Sequence, residues 1–305
     1  LDDDYERRVS FAPFANWLVP NALVLGRYPF VEPSRCLGRA QGEAQLAALM
    51  APPLRRPGGA AWSSGSSSSS SSSDGEDNNN NNDDDVSTGA ATINNGNPGC
   101  GVRTFFSLQA ELPPQWNMPV GGAGGGFLPY KAAAELIHAG MAGPPPQEAV
   151  DGLRNPSLDR FLPPRRRPQT AEYAAFARRE SALSFLHCPI EDLGVPQMGQ
   201  LKAAVLELAQ RMAAAEGARR KQVEAGTEPD DDASGAVLLH CWGGRGRAGL
   251  VGACLLVAAY GLSADEALLR VQRAFDTRRD NNRLSPETDE QRALVRAFEA
   301  EFMRR

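Results

Sequence analysis

The segment Val237 to Gly249, VLLHCWGGRGRAG, places one cysteine, two arginines and four glycines at spacings suited to anion chemistry. A wholly apolar run ends at His240, Cys241 follows, and Arg247 closes the stretch after five intervening residues. Gly243, Gly244 and Gly246 let the backbone curl so that successive N–H groups, those of Trp242 and Arg245 included, face one point. The apolar helix predicted to follow turns its positive dipole end toward the same point. The product is a cup for a tetrahedral anion with Cys241 at its floor, in a field that favours the thiolate over the thiol. Arg247 adds a planar fork that binds two phosphoryl oxygens together, which the point charge of a lysine does not. The chemistry implied is nucleophilic attack of sulfur on phosphorus.

The same residues also spell G-x-G-x-x-G through Gly244, Gly246 and Gly249, the dinucleotide-binding fingerprint. That reading needs an acidic residue about 20 positions on, at the end of a second strand. Around Leu269 the pattern is helical instead, and no further strands follow to build a cofactor crevice. The spacing of cysteine, five residues and arginine resembles the signature of the protein tyrosine phosphatase superfamily, in which a preceding histidine, here His240, helps set the cysteine's ionisation and the loop's shape. A second segment, HCPIEDLGVP from His187 to Pro196, resembles the general-acid loop of the dual-specificity branch, where Asp192 holds the aspartate's place. A leaving alkoxide or phenoxide must be protonated as the P–O bond breaks, so a positioned acid is required. Glu191 is the neighbouring alternative, and both carboxylates would otherwise only cap a turn.

Weaker likenesses extend further. Trp17 to Pro29 and Val102 to Leu108 look like the first strands of relatives in bacteria, plants and algae, and Ser285 to Gln291 (SPETDEQ) resembles a segment that follows their active site. There Gln291 either orients the attacking water or is solvated helix surface. Two departures stand out. Ala248 follows Arg247 where the family has Ser or Thr, whose hydroxyl helps the cysteine sulfur leave; its absence keeps a catalytically silent phosphate-binding module in play. Arg245 either adds a cation suited to a highly anionic substrate, such as a phosphoinositide or a phosphorylated glucan, or points to solvent. Cys188 and Cys254 either form a reversible disulfide with Cys241, as in some family members, or are buried packing. The resemblance implies a cysteine-dependent phosphatase working through a cysteinyl-phosphate, with protein tyrosine or dual-specificity activity as the first expectation, and with no cofactor and no metal.

The elements that must position these groups alternate in type. Strands are expected at Ala22 to Leu25, Val102 to Leu108, Leu183 to Cys188 and Ala236 to His240, the last apolar enough to be buried on both faces. Helices are expected at Gly42 to Met50, Tyr130 to His138, from Pro196 through about Gly217, and at Leu250 to Tyr260. Two more should start at Ser263, whose pairing with Glu266 makes a capping box, and at Ser285–Pro286. The fold class is α/β: a single domain with a central, mostly parallel sheet flanked by helices, phosphatase-like. It is built from residues 1–50 and 100–305. Between them residues 51–99 hold a serine run, an asparagine run and an aspartate run, with almost nothing apolar to offset the entropy of ordering, and read as a disordered low-complexity insert. Such a loop is cheap to lengthen, about 0.6 kcal/mol per doubling. Gly143 to Pro168 reads as a second irregular loop and Glu228 to Gly235 as an acidic one.

Composition narrows the partners. The 305 residues are 42% hydrophobic and 23% charged, with a formal net charge of −5, which gives no electrostatic reason to expect a nucleic acid. The short basic run Arg165 to Arg167 reads as a solvated loop. No stretch is apolar enough to span a bilayer. Five scattered cysteines and three dispersed histidines (His138, His187, His240) argue against a disulfide scaffold and a metal centre, and imply a reducing, cytoplasmic setting. A targeting segment ahead of Leu1 would not be visible. The expected partner is a phosphorylated protein or another phosphomonoester.

Overall fold

The computed structural model describes residues 14–51, 100–142, 183–226, 235–278, 283–302 and 304. The low-complexity insert apart from Ala51, the Gly143 to Pro168 loop with its basic run, and the acidic loop up to Gly235 lie outside them. Among the described residues five strands and six α-helices follow in chain order: β1 (Ala15–Val19), β2 (Leu23–Gly26), α1 (Arg39–Met50), β3 (Val102–Gln109), α2 (Lys131–Ala142), β4 (Ser184–Ile190), α3 (Met198–Glu224), β5 (Ala236–His240), α4 (Gly246–Tyr260), α5 (Ala264–Asp276) and α6 (Asp289–Phe302). The strands form one sheet in the order β1-β2-β5-β3-β4. β1 pairs with β2 antiparallel, and every other pairing is parallel.

The period-two alternation of each strand divides the core. Val237 and Leu239 of β5 join Leu23 and Leu25 of β2 on the face covered by α3 to α6. Leu238, Val24 and Phe105 point the other way, against Leu46 and Leu49 of α1 and Tyr130 ahead of α2. β5, at the centre, is buried on both faces, as its unbroken apolar run requires. α4 is apolar on all sides and buried from Gly246 to Val257, so it threads the interior rather than lying on it. Each fully buried Leu or Val in it stabilises by roughly 1.5–3 kcal/mol. The backbone N–H of Gly101 donates to the carbonyl of Ala51 at 2.8 Å, so residues on either side of the 52–99 segment meet in one core.

Several element boundaries move. The long helix begins at Met198, two residues after Pro196, and runs on to Glu224 rather than stopping near Gly217. α4 begins at Gly246, which puts Arg247 in its first turn. α6 begins at Asp289, not at Ser285–Pro286; the Thr288 hydroxyl accepts from Gln291 N at 3.2 Å and takes the capping role, while the Ser285 hydroxyl donates to the Arg245 carbonyl at 3.0 Å. The capping box at α5 forms as expected, Ser263 accepting from Glu266 N and Glu266 from Ser263 N. The helical stretch around Leu269 is α5, so no second nucleotide-binding strand follows the glycine loop.

The loop between β5 and α4 turns on Gly244. Its φ is +65°, and a Cβ there would sit 2.3 Å from the backbone carbonyl of Gly26 and 2.6 Å from Arg27 N. Both the conformation and the space demand glycine. Gly244→Ala should therefore lower stability by more than ~1 kcal/mol, read as a drop in the urea midpoint, and should weaken inorganic phosphate binding by opening the loop.

Candidate active site

β2, β5, β3 and β4 run parallel, so their C-terminal ends share one edge of the sheet, the edge where open α/β sheets bind ligands. Each strand delivers a polar residue there: Arg27 after β2, Cys241 after β5, Glu111 two residues past β3, and Asp192 two residues past β4. Cys241 is 2% exposed, in a cleft lined also by Gly243, Arg245, Gly246 and Arg247. Gly246 and Arg247, in the first turn of α4, line the same cleft, and the first N–H groups of a helix have no partner within it.

Arg247 is 2% exposed, and a buried guanidinium must be paired. Its Nη1 and Nη2 donate to the two carboxylate oxygens of Glu111 at 2.6 and 2.9 Å, and Nη1 also to the Ile190 carbonyl at 3.0 Å. The end of the fork is thus occupied by protein. The edge formed by Nε and Nη2 is left for an anion, and there Asp192 Oδ1 lies 2.8 Å from Nη2. Burial opposes the charge of both members, yet the Glu111 carboxyl is held below its usual range by hydrogen bonds from Arg247. The guanidinium is held more firmly charged by Glu111 together with the Cys241 and Asp192 charges. Glu111 escaped the sequence reading. The available signal was an acidic residue just past the C-terminal end of a buried parallel strand.

Asp192 and Glu191 part company. The turn that carries them is closed by Gly194 N donating to the Glu191 carbonyl, and it places Leu193 at φ +58°. Asp192 reaches Arg247, whereas Glu191 is exposed and makes no side-chain bond among the described residues. Gln291, fully buried, pins this turn: its Nε2 donates to the Gly194 carbonyl at 3.1 Å while its Oε1 accepts from Glu287 N and Thr288 N. It lines the cleft, but its amide is engaged in bonds to the protein. Arg245 does not point freely to solvent; it pairs with Glu287, Nε to Oε2 at 3.1 Å, with a second contact from Nη2 to Oε1.

Behind the loop, Tyr28 N donates to the Trp242 carbonyl and Arg278 Nη1 to the Gly243 carbonyl. The Trp242 indole turns away from the cleft, packs edge-on against Phe127 and donates to Glu32 at 2.8 Å. Trp242 can meet an anion through its backbone alone. His240 is fully buried with its Nε2 2.7 Å from the Tyr130 hydroxyl. Burial pushes its pKa down to about 3, against the pull of a backbone contact with Cys241. It is a neutral group that shapes the loop. Ala248 is wholly buried. All five cysteines are free thiols, and burial raises the pKa of Cys188 and, further, of Cys254. No group of metal-ligating residues occurs among the described residues.

A family model described as PTP-SAK, Swiss Army Knife protein, DSP-PTPase phosphatase domain, matches residues 167–295, a span holding Asp192, Cys241, Arg247 and Gln291. That span carries a domain of the protein tyrosine phosphatase superfamily, in its dual-specificity-like branch. It is a cysteine-dependent phosphatase. Similar solved structures include Tk-PTP in the active form, 26% identical, covering 46% of this chain and 74% of its own, at a TM-score of 0.28. PTPMT1 in complex with PI(5)P is 14% identical over 67% and 81%, at 0.31. Kinase associated phosphatase with its catalytic-site cysteine replaced by serine is 12% identical over 97% and 99%, at 0.41. At these scores global superposition is loose. No curated protein sequence matches.

Two measurements probe this phosphatase site. Glu111→Gln should cost on the order of 2–3 kcal/mol in urea unfolding, below the ~3–5 kcal/mol of a fully buried pair because Glu111 is 30% exposed, and should lower activity as Arg247 loses its anchor. For His240 the folded state refuses a proton down to about pH 3, while the unfolded chain takes one near 6.5. Between those values the unfolded state binds more protons, so this residue lowers stability as pH falls through the window. Its ring resonances should stay still from pH 7.5 to 5, and the urea midpoint of His240→Asn should fall less over that range than the wild type's.

Proposed function

We propose that the chain hydrolyses phosphate monoesters in two displacements, with Cys241 as nucleophile. The observation that carries the reading is the convergence of Cys241, Arg247 and the Asp192 carboxylate paired with it on one cleft. In the first step the Cys241 thiolate bonds to phosphorus as the P–O bond to the leaving group breaks. The loop amides from Trp242 to Gly246 and Arg247 take the equatorial oxygens. Asp192 gives its proton to the leaving oxygen. In the second, the same carboxylate takes a proton from water, whose oxygen attacks phosphorus and releases the cysteine sulfur. Incoming phosphate displaces Asp192 from Nη2, since both seek the same edge.

Buried Ala248 supplies no hydroxyl to ease departure of the sulfur, so breakdown of the cysteinyl-phosphate is the slow step in this scheme. A silent binding module would have no use for a carboxylate poised on Arg247, which favours catalysis. As to substrate, the sequence pointed first to phosphotyrosine or dual-specificity protein targets. The cleft favours the other class, a phosphoinositide or phosphoglucan-like polyanion, because Arg27, Arg35, Arg245, Arg247, Arg278 and Arg283 line it against only two carboxylates, Asp192 and Glu287.

Cys241→Ser should abolish turnover of 4-nitrophenyl phosphate while retaining phosphate binding; substantial residual turnover would sink the cysteine mechanism. Asp192→Asn should slow phenyl phosphate by about 10²–10⁴-fold and the nitrophenyl ester far less, because the latter's leaving oxygen barely needs a proton. Equal losses on both esters would leave Asp192 only a structural part. Glu191→Gln should change neither appreciably.

A further inference from the structure

Of the six guanidiniums around the cleft, four have work elsewhere. Arg247 is held by Glu111 and Arg245 by Glu287. Arg278 is 2% exposed and donates to Asn16, Leu25 and Gly243, and Arg27 is buried and engaged. Arg35 and Arg283 differ. Both are exposed, both line the cleft, and neither guanidinium has an ion pair or hydrogen bond among the described residues. They come from distant parts of the chain, one from the loop after β2 and the other from the segment between α5 and α6.

Their convergence is built. The Glu32 carboxylate, buried beneath the first loop, accepts from the backbone N–H groups of Ser34, Arg35 and Cys36, from the Ser34 hydroxyl, and from the Trp242 indole of the phosphate loop. Five bonds to one carboxylate fix the Arg35 backbone against the loop that holds Cys241. Arg35 Nη1 lies 3.9 Å from where a Cβ on Gly243 would stand, beside the loop, and both residues line the cleft. On the other side, Ser285 N donates to Gln272 and the Ser285 hydroxyl to the Arg245 carbonyl, so the stretch that begins at Arg283 is tied to the same loop. Both charges bear on Arg245 and, after burial, are the leading causes that weaken its hold on a proton. Like charges gathered in an otherwise acidic chain repel one another, and an anion seated among them relieves the repulsion.

The cleft that holds Cys241 extends outward to these two exposed arginines. We propose that Arg35 and Arg283 form a second anion subsite at the rim, so that the substrate is a small polyol phosphate or its lipid-borne headgroup carrying a second phosphate beside the scissile one. Glu32 is a positioning residue for Arg35. The substrate class rests on the phosphatase reading above, but the subsite itself can be tested without turnover.

Binding is measured by calorimetry on Cys241→Ser, comparing inorganic phosphate, a soluble inositol bisphosphate, a dioctanoyl phosphatidylinositol bisphosphate and a doubly phosphorylated peptide. Both bisphosphates should bind at least tenfold tighter than phosphate. Adding Arg35→Gln and Arg283→Gln should remove most of that advantage, with Glu32→Gln reproducing part of it through Arg35. The ratio of kcat/KM for inositol bisphosphate over 4-nitrophenyl phosphate should fall about tenfold in the Arg35→Gln/Arg283→Gln enzyme. Loss with the soluble and the lipid ligand alike supports recognition of the second phosphate, whereas loss with the lipid alone assigns the arginines to the membrane-borne source. An advantage that survives both substitutions, or one confined to the phosphopeptide, overturns the proposal. If wild type fails on every ester while the binding difference holds, the phosphatase reading falls and the subsite stands.

Discussion

A guanidinium buried at the sheet's edge governs the architecture around the site. Arg247 sits in the first turn of a helix that threads the core, where an unpaired charge would cost several kcal/mol. Its partners come from the two neighbouring strands, Glu111 past the end of β3 and the Ile190 carbonyl closing β4. The ion pair therefore does more than neutralise a charge. It locks α4 to both strands and turns the guanidinium so that only its Nε–Nη2 edge faces the cleft. In the proposed mechanism that orientation is set before any phosphate arrives, which is the condition for electrostatic stabilisation without reorganisation.

The remaining parts can be understood as supports for that arrangement. The phosphate loop is pinned from behind by Tyr28 and Arg278, held beside β2 by a glycine that admits no side chain at 244, and tethered outward through Trp242 to Glu32. The Asp192 turn is tied to the start of α6 by Gln291. Neutral His240, bonded to Tyr130, lies buried behind the loop and adds no charge there. Charge within the cleft is thus confined to groups that face the ligand or are already paired.

Such a site joins a chain of net negative charge to a cleft of positive charge. Bulk acidity discourages non-specific association with polyanions, while the low-dielectric walls of the cleft concentrate the arginines' field at one point. Selectivity then falls to anions small enough to enter and charged enough to meet the rim.

The segment Val237 to Gly249 by itself determined the strand, the glycine loop and the buried helix, because all of these are local, and it set Cys241 and Arg247 at the spacing from which their chemistry is proposed. Apolar continuity marks a strand buried on both faces, glycine permits the turn, and five intervening residues bring arginine back over cysteine. Asp192 was legible because it sits in a second local segment. What the sequence left undecided depends on contacts between residues far apart in the chain. Glu111 lies 136 positions from Arg247, and no pattern around either announces their pairing. The start of the last helix moved from Ser285 to Asp289 because Ser285 bonds back to Arg245 instead of capping. Whether Arg245 was free, and which arginines remained so, depended on carboxylates such as Glu287, 42 positions away. Local spacing specifies which groups can react; only the parallel sheet, by gathering four strand ends at one edge, decides which charges are paired and which are left for the substrate.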